Sequence, residues 1–295
     1  MFNNIVIIGG SGAIGRAFTI QLAISYPNTT IHVFSRHQQE KALLNVKYHT
    51  IDYQDETSIE KSALVASREA QLDMVIVATG ILHDGELMPE KSLKGLSAEK
   101  FHRLFEINTI VPALVAKHFI PKLNREKRSV FAALSARVGS ISDNQLGGWY
   151  AYRASKAALN MIIKNAAIEI SRRNKKAIIV GLHPGTVDSN LSKPFQGNVP
   201  DGKLFTPKYS VQKLLVILTT LTSKQSGKCF AWDGKEILPW ADIPINVSEI
   251  IEVAWYDETS SYDIILKLIE YFIIFVFISK WDTTPPEQTK RVVTY

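Results

Sequence analysis

The run Asn4-Ile-Val-Ile-Ile8 breaks directly into Gly9-Gly10-Ser11-Gly12-Ala13-Ile14-Gly15, after which Ala17, Ile20, Leu22 and Ala23 follow helical spacing. Strand, glycine turn and helix in that order constrain the fold more than any other feature of the chain. Apolar runs recur at 31–34, 74–78, 130–134 and 178–182, each leaving room for a helix before the next. Strands alternating with helices make a parallel sheet covered on both faces. Residues 58–68, 98–123, 150–173 and 207–221 read as helices, with Pro112 predicted to kink the second. The sequence thus predicts a single α/β domain, a doubly wound parallel sheet, over residues 1–240. Residues 241–295 follow as a C-terminal extension of unassigned role.

The extension differs in charge. It holds nine acids and four bases, a net of −5, against 30 bases and 19 acids, a net of +11, over residues 1–240. Its stretch 264–278 is apolar apart from Lys267 and Glu270, too short and too charged for a membrane span of about 20 residues. A docked helix or strand is the first expectation there, and membrane contact through 264–278 is not favoured. Acidic and basic residues are mixed along most of the chain, so the net charge of +6 is not read as a nucleic-acid surface. The single cysteine, Cys229, excludes an internal disulfide. With no signal-peptide pattern at the N-terminus, it predicts a reducing, cytoplasmic compartment. No His, Cys, Asp or Glu cluster has metal-ligand spacing. Neither a Gly-x-Ser-x-Gly elbow nor a phosphate loop ending in Gly-Lys-Ser/Thr is present, which sets aside hydrolase and nucleoside-triphosphatase readings.

The glycines can be read as Gly10-x-Gly12-x-x-Gly15, as Gly9-x-x-Gly12-x-x-Gly15, or with Ala13 in the middle position between Gly9 and Gly15. All three registers share one physical consequence. Missing β-carbons let the backbone approach a pyrophosphate, while the following helix directs free N–H groups at it. Gly9, Ser11, Gly12, Ile14 and Gly15 are therefore candidate dinucleotide contacts. An NAD site would want an acid at the end of the second strand, but Ser35-Arg36 stands there. A guanidinium pairs with a 2′-phosphate, so NADP(H) is expected over NAD(H). Asp52, after the 48–51 segment, is placed to accept from an adenine amino group. Ala78 and Gly80 end the strand at 74–78 where small residues would pass the ribose.

Tyr152-Arg-Ala-Ser-Lys156 sets a phenol and an ammonium four residues apart, neighbours on one helix face. A fixed positive charge favours tyrosinate, so such a phenol can exchange a proton with a substrate oxygen near neutral pH. Tyr150, the competing phenol, has no lysine four residues on.

With the glycine turn, Asn108 within Phe105-Glu-Ile-Asn108, Tyr152 with Lys156, and Pro184-Gly185 after the strand at 178–182, residues 3 to about 240 resemble the short-chain dehydrogenase/reductase superfamily. The segments Ser135-Ala-Arg-Val-Gly-Ser140, Gly147-Gly-Trp-Tyr150, Ser155-Lys-Ala-Ala-Leu-Asn160 and Trp232-Asp-Gly-Lys-Glu236 resemble its C-factor-like branch. The resemblance implies a Rossmann fold and a hydride moving between a nicotinamide and a carbonyl or alcohol carbon. Tyr152 would be the acid/base. Lys156 would lower its pKa and hold the nicotinamide ribose, and Asn108 would position a relay water. A serine should also bond the carbonyl. With Gly139 aligned to the family's glycine, that position falls on Ala136, flanked by Ser135, the favoured hydroxyl, and Ser140. Pro184, Gly185 and Thr186 would curve beside the nicotinamide, with His183 packed, not catalytic.

Residues 192–206 lie where this family places its substrate lid, and Phe195 and Phe205 suggest either an apolar substrate or a lid that simply packs. A homo-oligomer is implied by the resemblance alone. Two functions follow: an NADP(H)-dependent carbonyl reductase or alcohol dehydrogenase, or an NADP(H)-binding regulatory protein of C-factor type with little turnover.

Overall fold

A computed structural model describes residues 2–37, 43–85 and 87–240. The extension, including the apolar stretch 264–278, lies outside the described residues. Met1–Ala241 form one compact unit.

Seven parallel strands make the sheet. They are β1 (Asn4–Ile8), β2 (Thr30–Ser35), β3 (Val46–Thr50), β4 (Met74–Val77), β5 (Ser129–Leu134), β6 (Ala177–His183) and β9 (Cys229–Ala231), in the order β3-β2-β1-β4-β5-β6-β9. A separate two-stranded pair, β7 (Thr186–Val187) and β8 (Leu204–Phe205), stands outside it. The predicted doubly wound parallel sheet is observed. Strand order reverses between β1 and β4, and such a reversal opens a crevice beyond the carboxyl ends of the strands.

Alternation along the strands divides the core. Ile5, Ile7, Ile31, Val33, Met74 and Ile76 pack against α1 (Ala13–Ser25) and α6 (Pro207–Thr220). Val6, Ile8, Phe34, Val75, Val77 and Phe131 pack against α2 (Glu56–Ser67), α4 (Val111–Phe119) and α5 (Tyr150–Ser171). Because both faces are buried, the central strands are continuously apolar. The edge strand β3, VKYHT, is only half-buried and carries no such run, as suits a sheet edge.

The helix expected over 98–123 is not one kinked helix. Ala98–Phe105 form α3, Glu106–Ile110 form a π turn, and α4 follows. The break precedes Pro112, which occupies the first turn of α4. A proline ring would clash with the carbonyl four residues back, that of Asn108, and offers no N–H to it. The chain widens to a π turn instead, with the Val111 N–H donating to the Glu106 carbonyl. Asn108 sits inside that turn, fully buried.

Candidate active site

The crevice begins at the end of β1. Gly9 has φ +88, and a Cβ there would lie 2.9 Å from the Ala78 carbonyl carbon and 3.0 Å from Thr79 N. At Gly15 a Cβ would fall 2.2 Å from Gly9 O, and at Gly10 it would fall 2.1 Å from Val33 Cγ1. Gly12 is less confined, its nearest neighbour being Gly9 O at 3.5 Å. Gly9, Gly10 and Gly15 are therefore held by close approach of backbone and strand, while Gly12 serves as the N-cap of α1. That helix begins with no capping side-chain bond and no acid in its first turn, which leaves its N-terminal amides and positive dipole end open to an anion. Ser11 is exposed and Ile14 half-buried at this opening.

Arg36 is exposed just past β2. Its charge acts weakly on Tyr53, which sequence reasoning did not single out. Burial pushes the Tyr53 phenol up to about 12, against smaller lowering effects from the Gly9 backbone and the Arg36 charge. Asp52 accepts from Gln54 N at 2.9 Å, an Asx turn, and its own N–H donates to Ser58 Oγ at 3.0 Å.

Asn108, Lys156 and Gly80 converge. A Cβ on Gly80 would lie 3.3 Å from Asn108 Oδ1 and 3.4 Å from Lys156 Nζ. Asn108 is fixed on three sides: Oδ1 accepts from Ile81 N at 2.9 Å, and Nδ2 donates to Ile81 O at 2.9 Å and Ser155 Oγ at 3.2 Å. Lys156 Nζ, buried, donates to the Leu134 carbonyl at 2.8 Å and stands 5.9 Å from the centroid of the Tyr152 ring. Burial lowers the Lys156 ammonium to about 8, partly offset by Cys229, and raises the Tyr152 phenol to about 12. Desolvation penalises the charged form of each group, an effect that runs counter to the lowering of the phenol expected from Lys156.

Both candidate serines are engaged within the fold. Ser135 Oγ donates to Asn160 Oδ1 at 2.6 Å, and Ser140 Oγ donates to the Leu238 carbonyl at 2.5 Å. Both hydroxyls already have acceptors within the fold, and Ala136 between them is buried. His183 is packed as expected; burial lowers its imidazole to about 4, and its Nδ1 is enclosed with no partner. The Pro184 carbonyl accepts from Ser210 Oγ at 2.7 Å, Gly185 turns at φ +75, and Thr186 pairs with Leu204.

The model of the short chain dehydrogenase family matches residues 3–199. The chain belongs to that family. It is 30% identical over 191 residues to the 1-hydroxy-2-glutathionyl-2-methyl-3-butene dehydrogenase of Rhodococcus sp. (strain AD45), covering 64% of this chain and 78% of the relative. It is 35% identical over 138 residues to the C-signal of Myxococcus xanthus, 47% and 77% of the two chains. In fold it is similar to the NADPH-bound carbonyl reductase from chicken fatty liver, with a TM-score of 0.69, 23% identity and coverage of 80% and 99%. These comparisons make the protein a short-chain dehydrogenase with C-factor-like relatives and place it among the oxidoreductases.

In this short-chain dehydrogenase the two phenylalanines of the 192–206 segment part company. Phe195 packs on Trp149, centroids 5.1 Å apart, and on His83 at 6.0 Å, while a His83 ring nitrogen lies 3.2 Å from the Asn190 carbonyl. Phe205 instead is buried between Trp232 at 4.5 Å and Tyr209 at 5.1 Å, against Gly185. Trp149 in turn lies 6.2 Å from Tyr152, so only Phe195 belongs to an aromatic wall beside the candidate phenol. Among the described residues no helix is long and apolar enough to cross a membrane.

Proposed function

We propose that the protein is an NADP(H)-dependent carbonyl reductase or alcohol dehydrogenase, its reaction carried by residues 1–240. The observation that carries this reading is the meeting of Asn108, Lys156 and Gly80 at one point, with Tyr152 one helical turn from Lys156. The residues fit a dinucleotide. The backbone at Gly9 and Gly15 closes where a β-carbon would sit, α1 presents an uncapped end, and the enclosed Thr79 Oγ1 has no partner beside Gly9. Gly9, Ser11, Gly12, Ile14 and Gly15 would hold its pyrophosphate, Arg36 a 2′-phosphate, and Asp52 its adenine. Ala78, Gly80, Lys156, Pro184, Gly185 and Thr186 would hold its nicotinamide half. The cofactor supplies or accepts the hydride.

Tyr152 gives its proton to the carbonyl oxygen in reduction, a role suited to a phenol that burial keeps protonated. Lys156, less basic than an exposed lysine, replenishes it, and Asn108 orders the route to solvent. Ser135 reaches a carbonyl only by releasing Asn160, so it is assigned the smallest share of the four. The aromatic wall of Trp149 and Phe195 favours an apolar carbonyl substrate. Met161 and Ile168 on α5 and Ile110 in the π turn are exposed, and we assign them to a homo-oligomer contact; the buried Cys229 suits a cytoplasmic protein.

Titration of purified protein with NADPH and NADH, followed by a carbonyl panel monitored by loss of nicotinamide absorbance, tests the reading. NADPH-preferring, Tyr152-dependent turnover is the expected result. The likeness to the C-signal, together with the two engaged serines, favours a second reading, an NADP(H)-binding signalling protein. Tight NADPH binding without turnover on any carbonyl would select it.

A further inference from the structure

The helix that carries Tyr152 starts in a way its own residues do not explain. Gly147, Gly148 and Trp149 run at φ 63, 64 and 51. Trp149, the N-cap of α5, thus holds a left-handed conformation that is unusual for a bulky side chain. α5 has no capping side-chain bond of its own and no acid in its first turn. Its first turn is held from 61 residues away in sequence, by Glu90. The Glu90 carbonyl accepts from Trp149 N at 2.6 Å, and its carboxylate Oε2 accepts from Ala151 N at 3.3 Å. A Cβ added to Gly148 would come 3.4 Å from the same Glu90 carbonyl. One residue therefore bonds two of the four positions that precede Tyr152 and leaves little room for a side chain at a third.

Glu90 is 3% exposed, and its other carboxylate oxygen, Oε1, is enclosed with no partner. It faces a recess that it shares with Leu82, Leu87, Leu104, Ala151 and Tyr152, and Lys100 at the same recess donates to the Gly95 carbonyl at 3.4 Å. A half-paired carboxylate among leucines is costly to bury, and a side-chain cap contributed by a nearby Ser or Asp would close a helix start at less expense. Anionic charge at a helix N-terminus offsets part of that cost. Strained backbone and incompletely satisfied polar groups gather where a site must be held in one geometry.

We propose that Glu90 is a positioning residue. By gripping Trp149 and Ala151 it fixes the first turn of α5 and so the direction of the Tyr152 phenol and of the Trp149 face of the substrate wall. It does not itself touch the reacting atoms. The inference rests on the reading of Tyr152 as proton donor, and its test is built so that the two can fail separately.

Glu90→Ala removes the side-chain acceptor; Glu90→Gln keeps an acceptor oxygen for Ala151 N without the charge. Amide hydrogen exchange over residues 149–153 is expected to quicken in Glu90→Ala and to stay near wild type in Glu90→Gln, with NADPH affinity unchanged in both. In the carbonyl assay at a temperature well below unfolding, kcat is expected to fall at least about tenfold in Glu90→Ala, as displacement of a reacting group does, and to recover to within about threefold in Glu90→Gln. Unchanged exchange at 149–153 in Glu90→Ala overturns the proposal whatever the kinetics show. So does exchange quickened evenly across the domain, the mark of general destabilisation, and so does a Gln variant as impaired as the Ala variant. If the wild type has no Tyr152-dependent turnover, the reductase reading fails while the exchange measurement still decides whether Glu90 holds the helix.

Discussion

Helices α1 and α5 both begin beside glycines, without a capping side-chain bond of their own and without an acid in the first turn, yet they end up in opposite electrostatic states. The N-terminus of α1 is left open at the crevice, with only Gly9 O near Gly12. The N-terminus of α5 is closed by the Glu90 carboxylate at the Ala151 amide. The same excess of positive dipole is left free in one helix and is met from within in the other, which on the proposed reading leaves α1 for a cofactor's phosphate and holds the Tyr152 phenol on α5 still. A helix start is thus read correctly only when one asks which anion completes it.

Four substitutions would break or sharpen that contrast. Tyr152→Phe, at the closed end, is expected to lower carbonyl reduction by about 10³-fold or more while NADPH still binds in a fluorescence titration; undiminished turnover would remove the catalytic role from α5. Gly15→Ala, at the open end, drives a β-carbon to within 2.2 Å of Gly9 O. NADPH affinity is expected to drop on the order of 100-fold, about 2.7 kcal/mol, with far-ultraviolet circular dichroism checking that the fold persists. Arg36→Ala should weaken NADPH about tenfold, the loss of one charge-assisted contact, and leave NADH binding as it was. Equal losses for both cofactors would show that the arginine does not read the 2′-phosphate.

The smallest effect concerns Lys156, whose ammonium burial pushes down to about 8 from its ordinary 10.5. Between those values the unfolded chain binds the extra proton, so this lysine's contribution disfavours folding below pH 8, and the penalty fades as pH rises toward 10.5. Lys156→Met should therefore gain melting temperature relative to wild type at pH 7 by a few degrees more than at pH 10, read by thermal scans across that range. A difference that grows with pH would contradict the buried, depressed ammonium.

What could be read from sequence was what the chain does locally. The strand β1, its glycine turn and α1 lie within residues 4–25, and Tyr152 and Lys156 share a helix face by spacing alone. β3 overlaps the 48–51 segment picked out in the sequence but carries no apolar run, because an edge strand needs none, and the three residues of β9 carry no period to read. The grip of Glu90 on α5 spans 61 residues and leaves no trace in either segment. Ser135 shows the same limit. A serine just past a strand shows no partner in sequence, yet its hydroxyl donates to Asn160 Oδ1 on α5 at 2.6 Å.

The π turn at Glu106–Ile110 carries one residue more than an α turn would. Each helical residue advances the side-chain direction by about 100°. The extra one therefore re-phases everything after it, and Val111, Val115 and Phe119 face the core because of a residue inserted ahead of them. Asn108 and the inner face of α4 are in this sense a single choice of helical phase. Deleting one residue from the turn would restore regular winding, but at the cost of rotating either the asparagine out of the crevice or the α4 side chains out of the core.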